Sequence, residues 1–159
     1  MRRHDREITD REEMIEILDK CSVCRLALND SDYPYIVPLN YGIEVTDNEV
    51  VLYFHSAKTG TKLDLIRRDN KASFEVDCGH TLVLEDEIGN CTMNYESVIG
   101  HGIIEFVPEE EKFTALKILM KHYRSEDFPF NTAVIPRTEV FRLRVLEMTG
   151  KRRQKRVKE

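Results

Sequence analysis

Residues 23–55, VCRLALNDSDYPYIVPLNYGIEVTDNEVVLYFH, contain the pattern that decides the fold class. Runs rich in Val, Ile, Leu, Tyr and Phe alternate there with clusters of Asn, Asp and Ser, which are turn residues. The apolar runs predict three strands, at residues 23–28, 35–41 and 50–55. The polar turns at 29–32 and 46–49 are of hairpin length, whereas parallel neighbours need long crossovers. We therefore expect mainly antiparallel pairing.

Pro38 lies inside the second predicted strand and limits where that strand can sit in a sheet. Proline has no N–H to donate to the ladder of hydrogen bonds. The strand is therefore expected at an edge of the sheet, or with a bulge at this position.

Helices and further strands are predicted on both sides of this stretch. Before it, one helical face is formed by Met14, Ile17, Leu18 and Cys21, with Thr9 or Asp10 as the cap. After it, the patterns predict a helix at 61–68, strands at 71–78 and 91–106, a brief apolar run at 81–84 between two turns, a helix from Pro108 with the apolar stripe Phe113, Leu116, Leu119 and Met120, and a last strand at 139–147. About six strands with peripheral helices are expected to close into a barrel.

The length of 159 residues suits one domain, which we place at residues 1–150, followed by a basic C-terminal tail at 151–159. The tail holds six Lys and Arg residues against one acid, so the preceding 150 residues carry a net charge of −10 within the overall −5. An acidic body repels phosphate backbones, so a general nucleic-acid role is not expected. The tail offers a contact for RNA or lipid head groups, but its simpler interpretation is a solvated terminus.

The chain shows no signal for membrane insertion or secretion. No apolar run approaches the ~20 residues of a membrane span. The charged N-terminus is not followed by the apolar region of a signal peptide. We therefore expect a cytoplasmic protein with no membrane partner, whose four cysteines are thiols.

One cysteine motif, C-x-x-C, occurs at Cys21 and Cys24. A zinc site needs a second ligand pair at comparable spacing, which Cys78, His80 and Cys91 do not provide. A redox pair belongs at a helix N-terminus, whereas this pair follows a predicted helix. We interpret both residues as buried structural cysteines and expect no metal. Cys78 and Cys91 lie toward facing ends of two predicted strands and are candidate neighbours.

The segment 55–62, HSAKTGTK, has the composition of a phosphate-binding loop. It leaves a predicted strand, turns at Gly60 and enters a helix. It supplies two ammonium groups, three hydroxyls and backbone N–H groups at the positive end of a helix. Its glycine spacing is not that of a P-loop, and an ordinary polar loop has the same composition. The residues alone leave both interpretations open.

Six segments carry a resemblance to a known family: YIVPLNYG at 35–42, LYFHSA at 52–57, KLDLI at 62–66, FEVD at 74–77, MNYESVIGHG at 93–102 and MTGKR at 148–152. Their order and spacing resemble those of the pyridoxamine 5′-phosphate oxidase-like flavoproteins, and the 5-nitroimidazole-resistance (Nim) type in particular. The resemblance spans about residues 8–153. It implies a mainly β fold, an antiparallel split β-barrel with peripheral helices. It also implies a homodimer with FMN bound between the subunits.

The resemblance also implies which residues hold FMN. They are Val37, Pro38, Leu39 and Asn40 along the edge of the isoalloxazine ring, with Tyr41 beside it; His55, Ser56, Ala57 and Lys58 by the ribityl chain and phosphate; Lys62 as the phosphate-binding lysine; and Asn94, Tyr95 and Ser97 from the other subunit. The chain departs from the oxidases at two positions. Thr61 stands where they carry an Arg, which weakens the phosphate clamp, and Ser97 stands where they carry a Gln.

The implied function is that of a flavin-dependent reductase of small electron-poor acceptors, such as nitroimidazoles, other nitroaromatics or quinones. His55 is the candidate catalytic residue, as a proton donor or substrate contact, because imidazole gives up a proton near neutral pH. The electron donor is NAD(P)H or a protein partner. The alternative is a non-catalytic flavin- or heme-binding carrier or sensor. Vitamin B6 phosphate is a poor substrate candidate, since the chain has no Trp and no basic set near the C-terminus like that of the oxidases.

Overall fold

The computed structural model describes residues 3–124 and 128–154. Its α-helices are α1 (Arg11–Lys20), α2 (Thr61–Arg68) and α3 (Lys112–Tyr123). Its strands are β1 (Glu7–Ile8), β2 (Cys24–Leu28), β3 (Tyr35–Leu39), β4 (Gly42–Val45), β5 (Val50–Ala57), β6 (Lys71–Glu85), β7 (Asn90–Phe106) and β8 (Thr138–Arg153). None of the helices in these residues has the length and apolar character of a membrane span.

The strands form one antiparallel sheet in the order β3-β2-β6-β7-β8-β5-β4, with β1 added to β8. β3 and β4 are the two ends of this order although they are consecutive in the chain, joined by Asn40 and Tyr41. The sheet is therefore not closed by hydrogen bonds between its end strands, and the predicted split antiparallel barrel is confirmed. Pro38 lies on β3, at the edge that its missing N–H favours.

Two apolar clusters hold the fold together. Asp10 caps α1 by accepting the backbone N–H groups of Glu12 and Glu13, at 2.8 and 3.2 Å. The buried face of α1 then packs on the barrel interior, whose largest buried side chains include Leu26, Phe54, Phe74 and Phe141. A smaller cluster covers the outer face of β5 beneath α3 and consists mainly of Val51, Tyr53, Leu116, Ile135 and Val140. β5 is therefore apolar on both faces.

The structure corrects several predicted boundaries. The strand predicted at 35–41 ends at Leu39, because the chain crosses the split at the next two residues. The run at 81–84 is not separate but continues β6 after a register shift between Cys78 and Thr81. β8 extends to Arg153, so the first three residues of the segment assigned to the basic tail belong to a strand. Residues 155–159 lie outside the described residues.

Two predictions about side chains are wrong. Cys78 lies opposite Glu96 in the ladder and Cys91 lies opposite Leu84, so the two cysteines are not neighbours. Phe113 was placed on the apolar stripe of α3 but is 43% exposed, and Ala115 takes its place in the buried cluster.

Gly42 begins β4 directly beneath α3. A Cβ atom there would lie 2.4 Å from the Cα atom of Leu119, and helix backbone cannot yield without moving the whole helix. We expect Gly42→Ala to lower the free energy of unfolding by about 1–3 kcal/mol, the usual cost of overpacking. Denaturant unfolding followed by circular dichroism measures this. The control Val45→Ala, on the exposed end of the same strand, should cost less than about 0.5 kcal/mol. Equal effects would contradict tight packing of α3 on β4.

Candidate functional site

Residues 55–62 leave the barrel at its split. β4 pairs with β5 only as far as Tyr53, opposite Gly42, while β5 continues to Ala57 along β8. The backbone edge of residues 55–57 is therefore not covered by β4. β3 ends the sheet on the other side of the same split. The loop 55–62 thus follows the uncovered end of β5, and the predicted ring-binding backbone of residues 37–40 lies on β3 and the crossover, at the other end of the sheet order.

The N-terminus of α2 is open toward this loop. Its cap is Gly60, with φ 139°, a conformation that side-chain-bearing residues rarely adopt. The carbonyl of Gly60 accepts the N–H groups of Leu63 and Asp64, at 2.9 and 3.3 Å. No side chain caps the helix, so the N–H groups of Thr61 and Lys62 have no acceptor among the described residues. Unpaired N–H groups at a helix N-terminus suit an anion.

The same loop carries two lysines, Lys58 and Lys62. Neither Lys58 nor Lys62 forms an ion pair within 4 Å in the part of the chain that the structure describes. Glu109, on the turn before α3, pairs with the buried Lys112 at 2.8 Å instead. The hydrogen bond from Lys112, with a smaller contribution from the charge of Lys58, lowers the pKa of Glu109, so the charge of Lys58 is partly offset by this carboxylate. Lys62 has no ion pair in the described residues, and its positive charge suits a phosphate group.

His55 lies on the outer face of β5, in phase with Tyr53 and Ala57 and opposite Val140. Partial burial, together with the nearby Lys62 ammonium group, lowers the pKa of His55 below its ordinary value. The imidazole is therefore mostly neutral at pH 7, with a nitrogen able to accept a hydrogen bond. Ser56 is one residue out of phase, and its hydroxyl donates to the carbonyl of Ala57 at 2.7 Å.

The coupling between His55 and Lys62 is testable. We expect Lys62→Ala to raise the pKa of His55, because the substitution removes a positive charge that disfavours the imidazolium form. NMR titration of the ring protons measures the pKa. Lys117→Ala, on the exposed face of α3, is the control and should leave it unchanged. An unchanged pKa in Lys62→Ala would show that the two groups do not interact.

Tyr41, which is predicted beside the ring, has its side chain in the interior of the barrel. Tyr41 is fully buried, and its hydroxyl donates to the backbone carbonyl of Leu18. Its ring lies 4.6 Å from that of His122. Asn40 is exposed, but its amide donates to the carbonyl of Ser22 at 3.2 Å. Both residues hold the crossover between β3 and β4, and the Tyr41 side chain does not reach the surface of the split.

Asn94, Tyr95 and Ser97 lie on β7, far from the loop of the same chain. Phe54 of β5 lies opposite Phe141 of β8, and Phe141 lies opposite Phe106 of β7. Tyr95 is eleven residues from Phe106, which is on the order of 30 Å along a strand. Tyr95 and Ser97 share the outer face, and Asn94 is out of phase with them. One chain does not bring these three residues to the loop.

Sequence reasoning missed two groups of side-chain contacts, one at the crossover between β3 and β4 and one between β7, β8 and α1. The hydroxyl of Tyr123, at the end of α3, accepts the N–H of Tyr41 at 3.0 Å and donates to the carbonyl of Ser22 at 2.7 Å. The hydrogen bond between Tyr123 and Tyr41 joins residues that are 82 positions apart in the sequence, so no local pattern indicates it. Arg152 pairs with the buried Glu96 and with Glu13, and its position in the MTGKR segment was the available signal.

The cysteines are free thiols. Cys21 and Cys24 are buried, as predicted, and burial raises the pKa of both, that of Cys24 to about 12. Neither is a reactive thiolate at neutral pH. Across residues 3–124 and 128–154, no group of three or more His, Cys, Asp and Glu side chains is arranged to hold a metal ion.

The sequence profile of the pyridoxamine 5′-phosphate oxidase family matches residues 10–152. The chain therefore belongs to this family, as its split barrel and the order of its motifs indicate. A comparison with curated protein sequences finds no match.

Among solved structures, the chain is similar to a proposed 5-nitroimidazole antibiotic resistance protein from Bacteroides thetaiotaomicron. The identity is 31% and the TM-score 0.79, over 91% of this chain and 85% of that chain. It also shares its fold with an FAD- and heme-binding protein from Mycobacterium smegmatis (18% identity, TM-score 0.79, 97% of this chain and 76% of that chain). A flavocytochrome from Azotobacter vinelandii has the same fold (20% identity, TM-score 0.78, 100% and 74%).

Proposed function

We propose that this protein is an FMN-dependent reductase of small electron-poor acceptors, of the nitroaromatic or quinone type, that works as a homodimer. One observation carries the proposal: the loop 55–62 offers two unpaired cations and two open N–H groups at the split of a barrel of this family. The similarity to a proposed nitroimidazole-resistance protein supports the acceptor class.

The residues present fit the phosphate of FMN. Lys62 and Lys58 would offset its charge, and the N–H groups of Thr61 and Lys62 would be available to its oxygens. Gly60 has open space around its Cα atom, so the phosphate can approach the backbone closely. The exposed edge of β3 would hold the planar ring. Bound FMN supplies transfer of one or two electrons to the acceptor.

His55 contributes through its protonation state. Because burial and the Lys62 charge lower its pKa, the imidazole would be able to accept a hydrogen bond from a ligand at pH 7, and it would gain a proton more readily if a phosphate offset the Lys62 charge. It then holds a proton at the mouth of the split, where a reduced acceptor needs one.

A second copy of the chain completes the proposed site. The tip of the β6–β7 hairpin exposes a set of apolar side chains, Leu82, Leu84, Ile88 and Met93, at 55%, 58%, 66% and 44%. Apolar side chains grouped in this way favour association. Two-fold pairing of this hairpin with a second barrel would carry Tyr95 toward the partner's loop.

The proposal predicts a dimer that depends on the hairpin tip. We expect light scattering at micromolar concentration to give a dimer for the natural chain and a monomer for Leu84→Asp, because a buried charge at the interface costs several kcal/mol. Phe113→Asp, an exposed apolar residue on α3, is the control and should remain dimeric. A natural chain that is monomeric with full FMN affinity would contradict the dimer.

Turnover separates a reductase from a carrier. The FMN-loaded protein should oxidise NAD(P)H faster when a nitroaromatic acceptor is added, and His55→Gln should slow this turnover without releasing FMN. FMN binding with no turnover with NAD(P)H or any supplied reductase would favour the carrier or sensor instead. Lost stability of His55→Gln with unchanged turnover per bound flavin would remove His55 from the chemistry.

A further inference from the structure

Lys112, the first residue of α3, is one of two charged residues that are buried in the part of the chain that the structure describes. It is 4% exposed, and the other such residue, Glu96, belongs to the ion pairs between β7 and β8. A lysine is almost never fully buried unless it is paired, because an unpaired ammonium group loses its hydration without compensation. The partners of Lys112 therefore define what it holds in place.

The Lys112 ammonium group has three partners. Its Nζ donates to a carboxylate oxygen of Glu109 at 2.8 Å and to the backbone carbonyl of Thr138 at 3.1 Å. It also lies 3.4 Å from a carboxylate oxygen of Glu139. An ammonium group has three N–H donors, so these partners satisfy it. Three segments of the chain meet at this group, namely the turn 109–111, the start of α3 and the start of β8.

These contacts lie beside the start of the loop that carries the two lysines. Thr138 and Glu139 are opposite Ala57 and Ser56, the last two residues of β5. The chain leaves β5 at the next residue, which is Lys58. Lys112 therefore fixes the strand end from which one of the two proposed phosphate-binding lysines departs.

Glu109 is under the influence of two lysines. The hydrogen bond from Lys112 is the main cause that lowers the pKa of Glu109, and the charge of Lys58 makes a smaller contribution. The Glu109 side chain is 59% exposed, so packing restrains it little apart from its bond with Lys112. A carboxylate that is able to neutralise Lys58 is thus bound to another cation.

We propose that Lys112 is a positioning residue for the phosphate subsite, which holds the carboxylate of Glu109 and thereby leaves Lys58 available to a phosphate monoester. This role rests on the proposed FMN site. Without the Lys112 ammonium group, Glu109 turns to Lys58, the other cation that acts on it. A carboxylate beside Lys58 competes with the phosphate for the same ammonium group and repels it. Glu139 does not compete, because it keeps Arg67 as a partner at 3.9 Å.

Glu109→Gln tests the competition with a variant that is expected to fold, since the side chain is exposed and keeps its size. FMN binding should become about two- to fivefold tighter, the range of an exposed ion pair. Riboflavin binding should not change, because riboflavin has no phosphate. Glu110→Gln removes the same charge from the next residue, which is also exposed, and is the matched control. Its effect should be clearly smaller, and equal gains in the two variants would overturn the proposal. Quenching of flavin fluorescence at low salt measures the affinities.

The effect of Glu109 should pass through Lys58. In Lys58→Gln protein, Glu109→Gln should no longer change the affinity for FMN, because the ammonium group for which carboxylate and phosphate compete is gone. An equal gain from Glu109→Gln with and without Lys58 would show that the carboxylate acts directly on the phosphate, and would overturn the proposal.

Lys112→Met tests the positioning residue itself, because it removes the ammonium group and keeps a long apolar side chain. FMN binding should weaken about two- to fivefold while riboflavin binding stays unchanged. Adding Glu109→Gln should restore the affinity for FMN. Parallel losses for both ligands, or no recovery in the double variant, would mean that Lys112 only supports the fold. Glu109→Gln and its control decide the question if Lys112→Met does not fold.

Failure of this role and failure of the proposed function give different results. A natural chain that binds no FMN contradicts the proposed function, and the role of Lys112 with it. A natural chain that binds FMN with the same affinity as Glu109→Gln contradicts only the role of Lys112.

Discussion

Lys62→Ala is expected to weaken FMN binding by about 1.5–3 kcal/mol, the size of a hydrogen bond to a charged group. Lys62 supplies a cation with no ion pair in the described residues, and its own N–H stands at the open start of α2. Riboflavin lacks the phosphate and should bind the variant about as well as the natural chain. Quenching of flavin fluorescence measures both affinities.

The comparison of the two ligands is what makes this result specific. Lys117→Ala removes an equal charge from the exposed face of α3 and should leave FMN affinity unchanged. Equal losses for FMN and riboflavin in Lys62→Ala would mean that the effect is not about phosphate. The loop would then have no assigned role.

Arg152→Met is expected to lower the free energy of unfolding by about 3 kcal/mol, the lower end of the cost of breaking a buried ion pair. Glu96 is 7% exposed, and its Oε1 accepts from the Nε of Arg152 at 2.5 Å. Without Arg152, the carboxylate still accepts from Lys20 at 3.4 Å and from Gln154 at 3.1 Å. Chemical denaturation measures the change.

Arg144→Met on the same strand is the matched control. Its guanidinium pairs with Glu49 and Glu105 but is 49% exposed, so its loss should cost at most about 1 kcal/mol. Adding Glu96→Gln to Arg152→Met should recover part of the lost stability, since it removes the uncompensated charge. A cost in Arg152→Met no larger than in the control would show that Glu96 does not depend on this pair.

Local signals in the sequence predicted most of the fold. The helix at 61–68 and a cap at Thr9 or Asp10 follow from periodicity and turn chemistry; the structure has this helix and places the cap at Asp10. Pro38 placed its strand at an edge. What failed was long-range. The run at 81–84 joins β6 only because β7 is long enough to pair with it, which no short window reveals.

The candidate site was predicted unevenly for the same reason. The loop 55–62 is contiguous, so its cations and its glycine could be recognised together. Tyr41 was assigned to the flavin site by its position in a motif. The burial of its side chain depends on Leu18 and His122, which lie 23 and 81 positions away in the sequence. Residues 151–153 were interpreted as part of a solvated tail because their composition is basic. Their positions opposite Tyr95, Glu96 and Ser97 arise only from the β7–β8 ladder.

The most direct test of the account is the identity of the chromophore. The protein is purified, its visible spectrum is recorded, and any bound chromophore is released by denaturation and identified by mass. If the spectrum is empty, the chain is titrated with FMN, FAD and heme. The account predicts FMN, at a stoichiometry of about one per chain because two-fold symmetry makes the sites equivalent. Preferential binding of heme or FAD, or no binding of FMN at concentrations of tens of micromolar, would contradict it.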